Sequence, residues 1–341
     1  MNSSGLFKIA EACATKLDLI KDRSISRALE IIKEYSCENT RLANVGDLIY
    51  WQAWLSIIGF TFQQAVTEKE IFVFIIQHVE GLDPEVDKKL VEQRYKRKLG
   101  PHKLSTIKRR IISLSLFFDS LKWNNPCKSE AVKQLLFKLT KKYGESKPSG
   151  RAITSDILND MLATCGDKII DLRDKALLLF TWSSGGRRRS EVSLANLEDL
   201  TELDDGNFVY RIPQSKNDQE KRGHVVPING RAAIELKAWL SASKAKQGPI
   251  FRSIKRDGVI GGRLWPNDVH RIVRRRLKKA RYDETKYGAH SLRSGFVTTA
   301  GRHGKPIGDV MQMTTHRSVS ILMKYYQAGN ISNNSAANLI D

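Results

Sequence analysis

Four separated segments carry side chains that suit work on a phosphodiester. The first is Gly185–Glu191 (GGRRRSE), with Arg188 and Glu191 three residues apart. The second is Lys216, in a polar stretch between two short apolar runs. The third is an HxxR pair, His290 and Arg293, and the fourth is His316 with Tyr325 nine residues on. Arginine holds phosphate with a planar fork that donates two hydrogen bonds and stays charged. A phenol has an ordinary pKa of about 10 and needs a cationic neighbourhood to serve as a nucleophile. Together these groups suit attack of a tyrosine on phosphorus, with guanidiniums on the two non-bridging oxygens. Each motif alone has a bland reading: a solvated lysine, a core tyrosine, a chance HxxR. Their joint order and spacing carry the weight.

In that order the segments resemble the tyrosine recombinase (phage integrase) family. GGRRRSE aligns with the family's TGLRISE-like pattern and matches Arg188 to its first arginine and Glu191 to its acidic position. Lys216 matches the catalytic lysine of a β-hairpin, and His290 and Arg293 match the HxxR box. His316 matches the His/Trp position, nine residues before the tyrosine, Tyr325. The resemblance covers nearly the whole chain, in a Cre-like architecture. It implies a site-specific DNA recombinase that cleaves and rejoins strands through a 3′-phosphotyrosine. It also implies Lys216 as general acid for the 5′-hydroxyl, His290 aiding proton transfer with the tyrosine, Glu191 as an orienting group and His316 as a phosphate donor. Two departures stand out: Arg187 occupies a usually apolar position, with Arg189 on the other side of Arg188, and Thr315 replaces the usual glycine. Tyr326 adjoins Tyr325, and spacing favours the latter. Competing readings are a type IB topoisomerase-like enzyme, a telomere resolvase and a non-catalytic DNA-binding regulator.

These residues need elements to position them. A polar stretch, Lys141–Arg151, with two glycines and a proline, reads as a linker. It gives a helical core DNA-binding domain over 1–145, a linker at 146–151 and a catalytic domain with a C-terminal tail over 152–341. The first ~20 residues are expected to be disordered. Before the linker, Leu48, Trp51, Leu55 and Ile58 share one helix face, as do Ile107, Ile111, Leu114, Phe118 and Leu121 within Leu104–Trp123. Another helix is expected over Ser129–Lys142. After the linker, Thr154 or Ser155 is placed to cap a helix reaching Leu162, and Asp171–Trp182 reads as a buried helix. Phe208–Pro213 and His224–Ile228 read as strands around the loop Gln214–Gly223. The fold class expected is mainly α, with a small antiparallel sheet in the catalytic domain.

The formal net charge of +20, from 57 Lys+Arg against 37 Asp+Glu, points to a polyanionic partner. Double-stranded DNA is expected. Asn267–Tyr282 is the most basic helix, offering Arg271, Arg274, Arg275 and Lys278 to a groove or to phosphates. In the first domain Lys108, Arg109 and Arg110 lie mostly off the apolar stripe and are weaker candidates, and Gln93–Lys98 groups further basic side chains. The tail Asn333–Ile340 is expected either to dock in trans within a homo-tetramer on two DNA sites or to stay frayed or folded in cis. Cys13, Cys37, Cys127 and Cys165 show no metal-ligand spacing. No metal or cofactor is expected, since a Walker-type motif and a carboxylate pair for magnesium are both missing from the sequence. No apolar run approaches a membrane span, so a cytoplasmic, nucleoid-associated location without membrane contact is expected.

Overall fold

The computed structural model describes residues 38–60, 66–144, 150–213, 223–288, 290–316 and 318–330. The chain forms two compact units, Met1–Lys147 and Pro148–Asp341. The N-terminal segment, the C-terminal tail and the loop holding Lys216 lie outside the described residues.

Among the described residues of the first unit, five helices surround an aromatic core: α1 Glu38–Ile57, α2 Glu68–Glu80, α3 Pro84–Glu92, α4 Leu104–Ser120 and α5 Glu130–Tyr143. Helix α2 starts at a capping box of Thr67 and Glu70, which satisfies otherwise orphaned backbone donors. It buries Phe74, which stacks on Trp51 of α1 at 3.8 Å between centroids. Helix α4 buries Ile107, Ile111, Leu114 and Phe118, as the spacing predicts.

Two basic residues expected on the outside point inward. Arg110 follows Ile107 by three residues and precedes Leu114 by four, so it belongs to the buried face. Its guanidinium lies 3.2 Å from the Tyr50 ring centroid and pairs with Asp47 at 3.5 Å. Arg110 is therefore packed inside the unit and is withdrawn as a DNA contact. Lys96 of the Gln93–Lys98 run is likewise buried against Asp87 and the Gly100 carbonyl. Lys108 is half-buried. Arg109 reaches Asp47 at 2.6 Å but keeps half its side chain exposed.

The second unit packs helices around a three-stranded antiparallel sheet. Helices α6 Ser155–Ala163, α7 Ile169–Ser183 and α8 Arg189–Leu194 precede strands β1 Leu200–Glu202, β2 Phe208–Ile212 and β3 His224–Ile228. Helix α9 Arg231–Ser243, the hairpin β4 Arg252–Ile254 with β5 Ile260–Arg263, and helix α10 Pro266–Lys279 follow. Helices α11 Ser291–Arg302, α12 Ile307–Thr314 and α13 Val319–Asn330 come next among the described residues. Thr154 stands at the N-cap of α6, although its side chain makes no capping bond there. Strand β2 alternates buried Phe208, Tyr210 and Ile212, and its register sets Tyr210 against Val226 and Phe208 against Ile228. Ile212 pairs with His224 at the connected end of this hairpin, and residues 214–222 lie outside the described residues. The fold is thus mainly helical with small antiparallel sheets, as expected.

Helix α7 is the spine of this unit. Ala176–Phe180 is buried throughout. Its first turns also bury charge: Asp174, fully enclosed, accepts from Arg173 at 2.9 Å, Arg275 at 2.5 Å and Arg276 at 2.7 Å. A buried carboxylate holds its charge only with such partners. This knot ties α7 to α10 and fixes the rotation of α10. Among the described residues no helix is long and apolar enough to cross a membrane.

Candidate active site

The site forms where the α7–α8 turn meets α11, α12 and α13. Gly185 and Gly186 make the turn, with φ of +88° and +68°. Both have backbone pressed against them. A Cβ on Gly185 would lie 2.1 Å from the Met313 carbonyl oxygen, and one on Gly186 would lie 2.2 Å from Arg293 Cα. Only glycine satisfies both the left-handed backbone and this approach. The turn thereby sets Arg187 and Arg188 against the HxxR helix.

Arg188 is the N-cap residue of α8, and Glu191 closes back on it. The Glu191 carboxylate accepts the Arg188 backbone N–H at 3.0 Å and its guanidinium at 2.6 Å. Burial works to raise the Glu191 pKa, but the charge of Arg187 and the bonds to Arg188 bring it below the ordinary carboxylate range. Glu191 is thus an anion that orients arginine, while Arg188 keeps 37 % of its side chain exposed and ready for a ligand.

Arg293 sits one turn into α11 and is buried. It donates to the Gly186 carbonyl at 3.4 Å and to the Thr314 carbonyl, and its Nη2 lies 3.5 Å from His316 Nδ1. Burial first, then the charges of Arg187 and Arg188, push its pKa down to about 9. Its Nε has no hydrogen-bond partner. A cation held this way, with cationic neighbours, is set to receive an anion.

His316 follows the end of α12, where Nδ1 lies 2.7 Å from Thr314 Oγ1. Burial and the charge of Arg293 lower its pKa to about 4, so the ring is neutral at neutral pH. Thr315, at the usual glycine position, adopts φ +57° and ψ 36° as the C-cap of α12. The left-handed cap explains the family's glycine, and a β-branched residue there is strained.

His290 is the N-cap residue of α11, so HxxR stands at a helix start as expected. Its ring faces that of Tyr325, with centroids 6.4 Å apart. The surrounding protein, then the charges of Arg293 and Arg188, lower its pKa, although one side of the residue is open to solvent.

The two adjacent tyrosines have different surroundings. Tyr326 is buried, and its hydroxyl donates to the Lys305 carbonyl at 2.6 Å. Its own carbonyl lies where a Cβ on Gly301 of α11 would come within 2.3 Å, so α11 and α13 pack backbone to backbone there. Tyr325 is half-buried and turns toward His290, with its carbonyl accepting from Thr298 Oγ1 at 3.2 Å.

Residues 151–330 match the model of the phage integrase family. The chain belongs to the phage integrase family. Its members, the tyrosine recombinases, are enzymes that act on DNA. A similar protein is an integrase/recombinase xerD homolog of Selenomonas ruminantium, 31 % identical over 248 residues, which are 69 % of this chain and 72 % of that one. The tyrosine recombinase XerD of Proteus mirabilis is 27 % identical over 241 residues, 69 % of each chain. Among solved structures, the Tn1549 transposon integrase in complex with transposon right end DNA has the same fold. Its TM-score is 0.62 at 14 % identity, over 92 % of this chain and 100 % of that one.

Five of the residues matched to the family motif cluster with Glu191 at this site: Arg188, His290, Arg293, His316 and Tyr325. The remaining match, Lys216, lies outside the described residues. On α10, Arg271 is exposed and paired with Asp268 at 2.6 Å, and Arg274 pairs with Glu284 at 3.7 Å. Arg275 divides its length between solvent and the buried Asp174, and Lys278 is exposed. Arg276, next in sequence, is fully buried in the same knot. Sequence reading placed Arg187 only as a departure from the family pattern. Its burial within the cluster had no local signal beyond its place between a turn glycine and Arg188.

Proposed function

We propose that this recombinase cuts and rejoins double-stranded DNA at a specific site, with Tyr325 as nucleophile. The observation that carries this reading is that Arg188, Arg293, His290 and His316 lie together in one cationic site, with the His290 ring beside that of Tyr325, while the hydroxyl of Tyr326 is engaged elsewhere. Arg188 and Arg293 grip the non-bridging oxygens of the scissile phosphate, where their bonds strengthen as negative charge grows. The Tyr325 oxygen bonds to phosphorus and the bond to the 5′ oxygen breaks. The phenolic proton leaves toward the neutral His290. Lys216 gives a proton to the departing 5′ oxygen, as the family motif implies. His316 supports the phosphate beside Arg293.

The product is a 3′-phosphotyrosine, which conserves the phosphodiester bond energy, so rejoining by a 5′-hydroxyl needs neither ATP nor metal. The first unit and the exposed side of α10 hold the duplex, with Arg271, Arg274, Arg275, Lys278, Lys108 and Arg109 as DNA contacts. A homo-tetramer on two sites, joined by exchange of the 333–340 tail, completes the reaction. The test is incubation with nicked DNA from the native locus in the presence of a chelator. The reading predicts a detergent-resistant protein–DNA adduct. DNA that is bound but never linked would move the chain to a non-catalytic regulator.

A further inference from the structure

Arg187 is among the largest fully buried side chains of the molecule, with 1 % of its surface exposed. It stands where the family pattern has an apolar residue. Its Nη2 donates to the Met313 carbonyl, near the end of α12 and three residues before His316. Its Nε lies 3.9 Å from Glu191, too far for a hydrogen bond, and Nε and Nη1 both lack a hydrogen-bond partner. Glu191 is already engaged by Arg188 at 2.6 Å. An apolar side chain would fill this space without the cost of desolvating a charge, so packing alone does not call for arginine.

The local charge count gives a reason. Arg187, Arg188 and Arg293 contribute three positive charges and Glu191 one negative, leaving two positive charges before Lys216 is counted. A phosphodiester brings one negative charge and gathers a second as the tyrosine oxygen attacks. Three guanidiniums against Glu191 supply two net positive charges among the described residues of the site, where the two matched arginines alone would supply one. The influence of Arg187 already reaches its neighbours, since its charge opposes those of Arg293 and of a protonated His316.

We propose that Arg187 is an additional positioning residue of the strand-cleavage site, a third buried guanidinium whose charge is balanced by the phosphate of bound DNA. This rests on the strand-cleavage reading above. Arg187 acts through the field it adds and through its hold on the Met313 carbonyl. In the DNA-free protein it is under-compensated, and the arriving phosphate relieves it. Burial shields this interaction from salt.

The experiment compares wild type with Arg187→Met and Arg187→Lys in the full chain, using nicked native-locus DNA. Thermal unfolding without DNA, DNA affinity in a Tyr325→Phe background and single-turnover adduct formation against pH are read together. Arg187→Met should melt at or above wild type and bind DNA within about threefold of it. Its adduct formation should be slower by about 10–100-fold, less than for removal of a donor that touches the reacting oxygen. Its pH profile should also shift, because Arg293 and His316 have lost a cationic neighbour. Arg187→Lys should recover part of the rate. Wild-type rate and pH profile in Arg187→Met would overturn the proposal. So would a melting point lowered by more than about 5 °C and not restored by lysine, which would make Arg187 a strut. A wild-type protein that binds this DNA and forms no adduct would sink the strand-cleavage reading itself, and the proposal with it.

Discussion

Replacing Gly186 by alanine should separate the geometry of the site from its composition. The substitution replaces none of the matched residues, yet the new Cβ would lie 2.2 Å from Arg293 Cα, 2.7 Å from its Cβ and 2.8 Å from its N. Carbon atoms in comfortable contact are about 3.5–4.0 Å apart, so the turn and α11 must separate by roughly 1.3 Å or more. Nothing flexible can yield, because two of the three atoms met are backbone. The φ of +68° adds about 1–2 kcal/mol for any residue with a Cβ, and overpacking adds about 1–3 kcal/mol. The expected loss of stability is about 2–5 kcal/mol. A displacement of about 1 Å between catalytic groups costs on the order of 100-fold in rate. Gly206→Ala is the control: its φ is +79°, but nothing lies within 4 Å of the added Cβ. It should lose only the backbone share of about 1–2 kcal/mol and keep full cleavage. The assays are thermal unfolding and single-turnover adduct formation. If Gly186→Ala melts like Gly206→Ala and cleaves within threefold of wild type, the close approach argued here is wrong.

Thr315→Gly should stabilise the protein by about 1 kcal/mol in denaturant unfolding, because glycine accepts the left-handed cap without strain. Asp174→Asn should cost about 3–5 kcal/mol, since it leaves Arg173 and Arg276 buried around an amide. Arg271→Ala, which removes an exposed pair, should cost less than about 1 kcal/mol in the same assay. Acid should destabilise both units. His102 and His316 titrate near 4 in the folded chain against 6.5 as the ordinary value, so the unfolded chain binds more protons between those values. Their stabilisation is complete above pH 6.5 and declines as pH falls toward 4, by about 1 kcal/mol each once solvent exposure is allowed for. Unfolding free energies that do not change over that window would contradict the neutral, enclosed state of these rings.

Much of the frame was legible because apolar periodicity reports the buried face directly. Trp51 and Leu55 on α1, the Ile107–Phe118 stripe on α4 and the alternation of Phe208, Tyr210 and Ile212 all follow from spacing. The site order was legible because chemistry fixes residue types where packing does not. Charge placement was less legible. Arg110, Lys96 and Arg276 look like solvated cations until Asp47, Asp87 and Asp174, each on another element, are brought beside them. Arg110 also shows that a polar residue at the fourth point of an apolar stripe can be part of that stripe. The cap conformation of Thr315 and the close approaches at Gly185 and Gly186 depend on neighbours more than 100 residues away or on local φ, neither of which composition reveals. Tyr325 and Tyr326 are chemically equal in the sequence. Spacing from His316 favours Tyr325, and the surroundings of each ring add what spacing does not carry.

The most direct test of the central claim is to map the covalent link. The trapped protein–DNA adduct is digested with nuclease and protease, and the nucleotide-bearing peptide is sequenced by mass spectrometry. The account predicts a 3′-nucleotide on Tyr325, an unmodified Tyr326, and retention of the adduct in Tyr326→Phe. A nucleotide on Tyr326, or on any residue other than Tyr325, would contradict it.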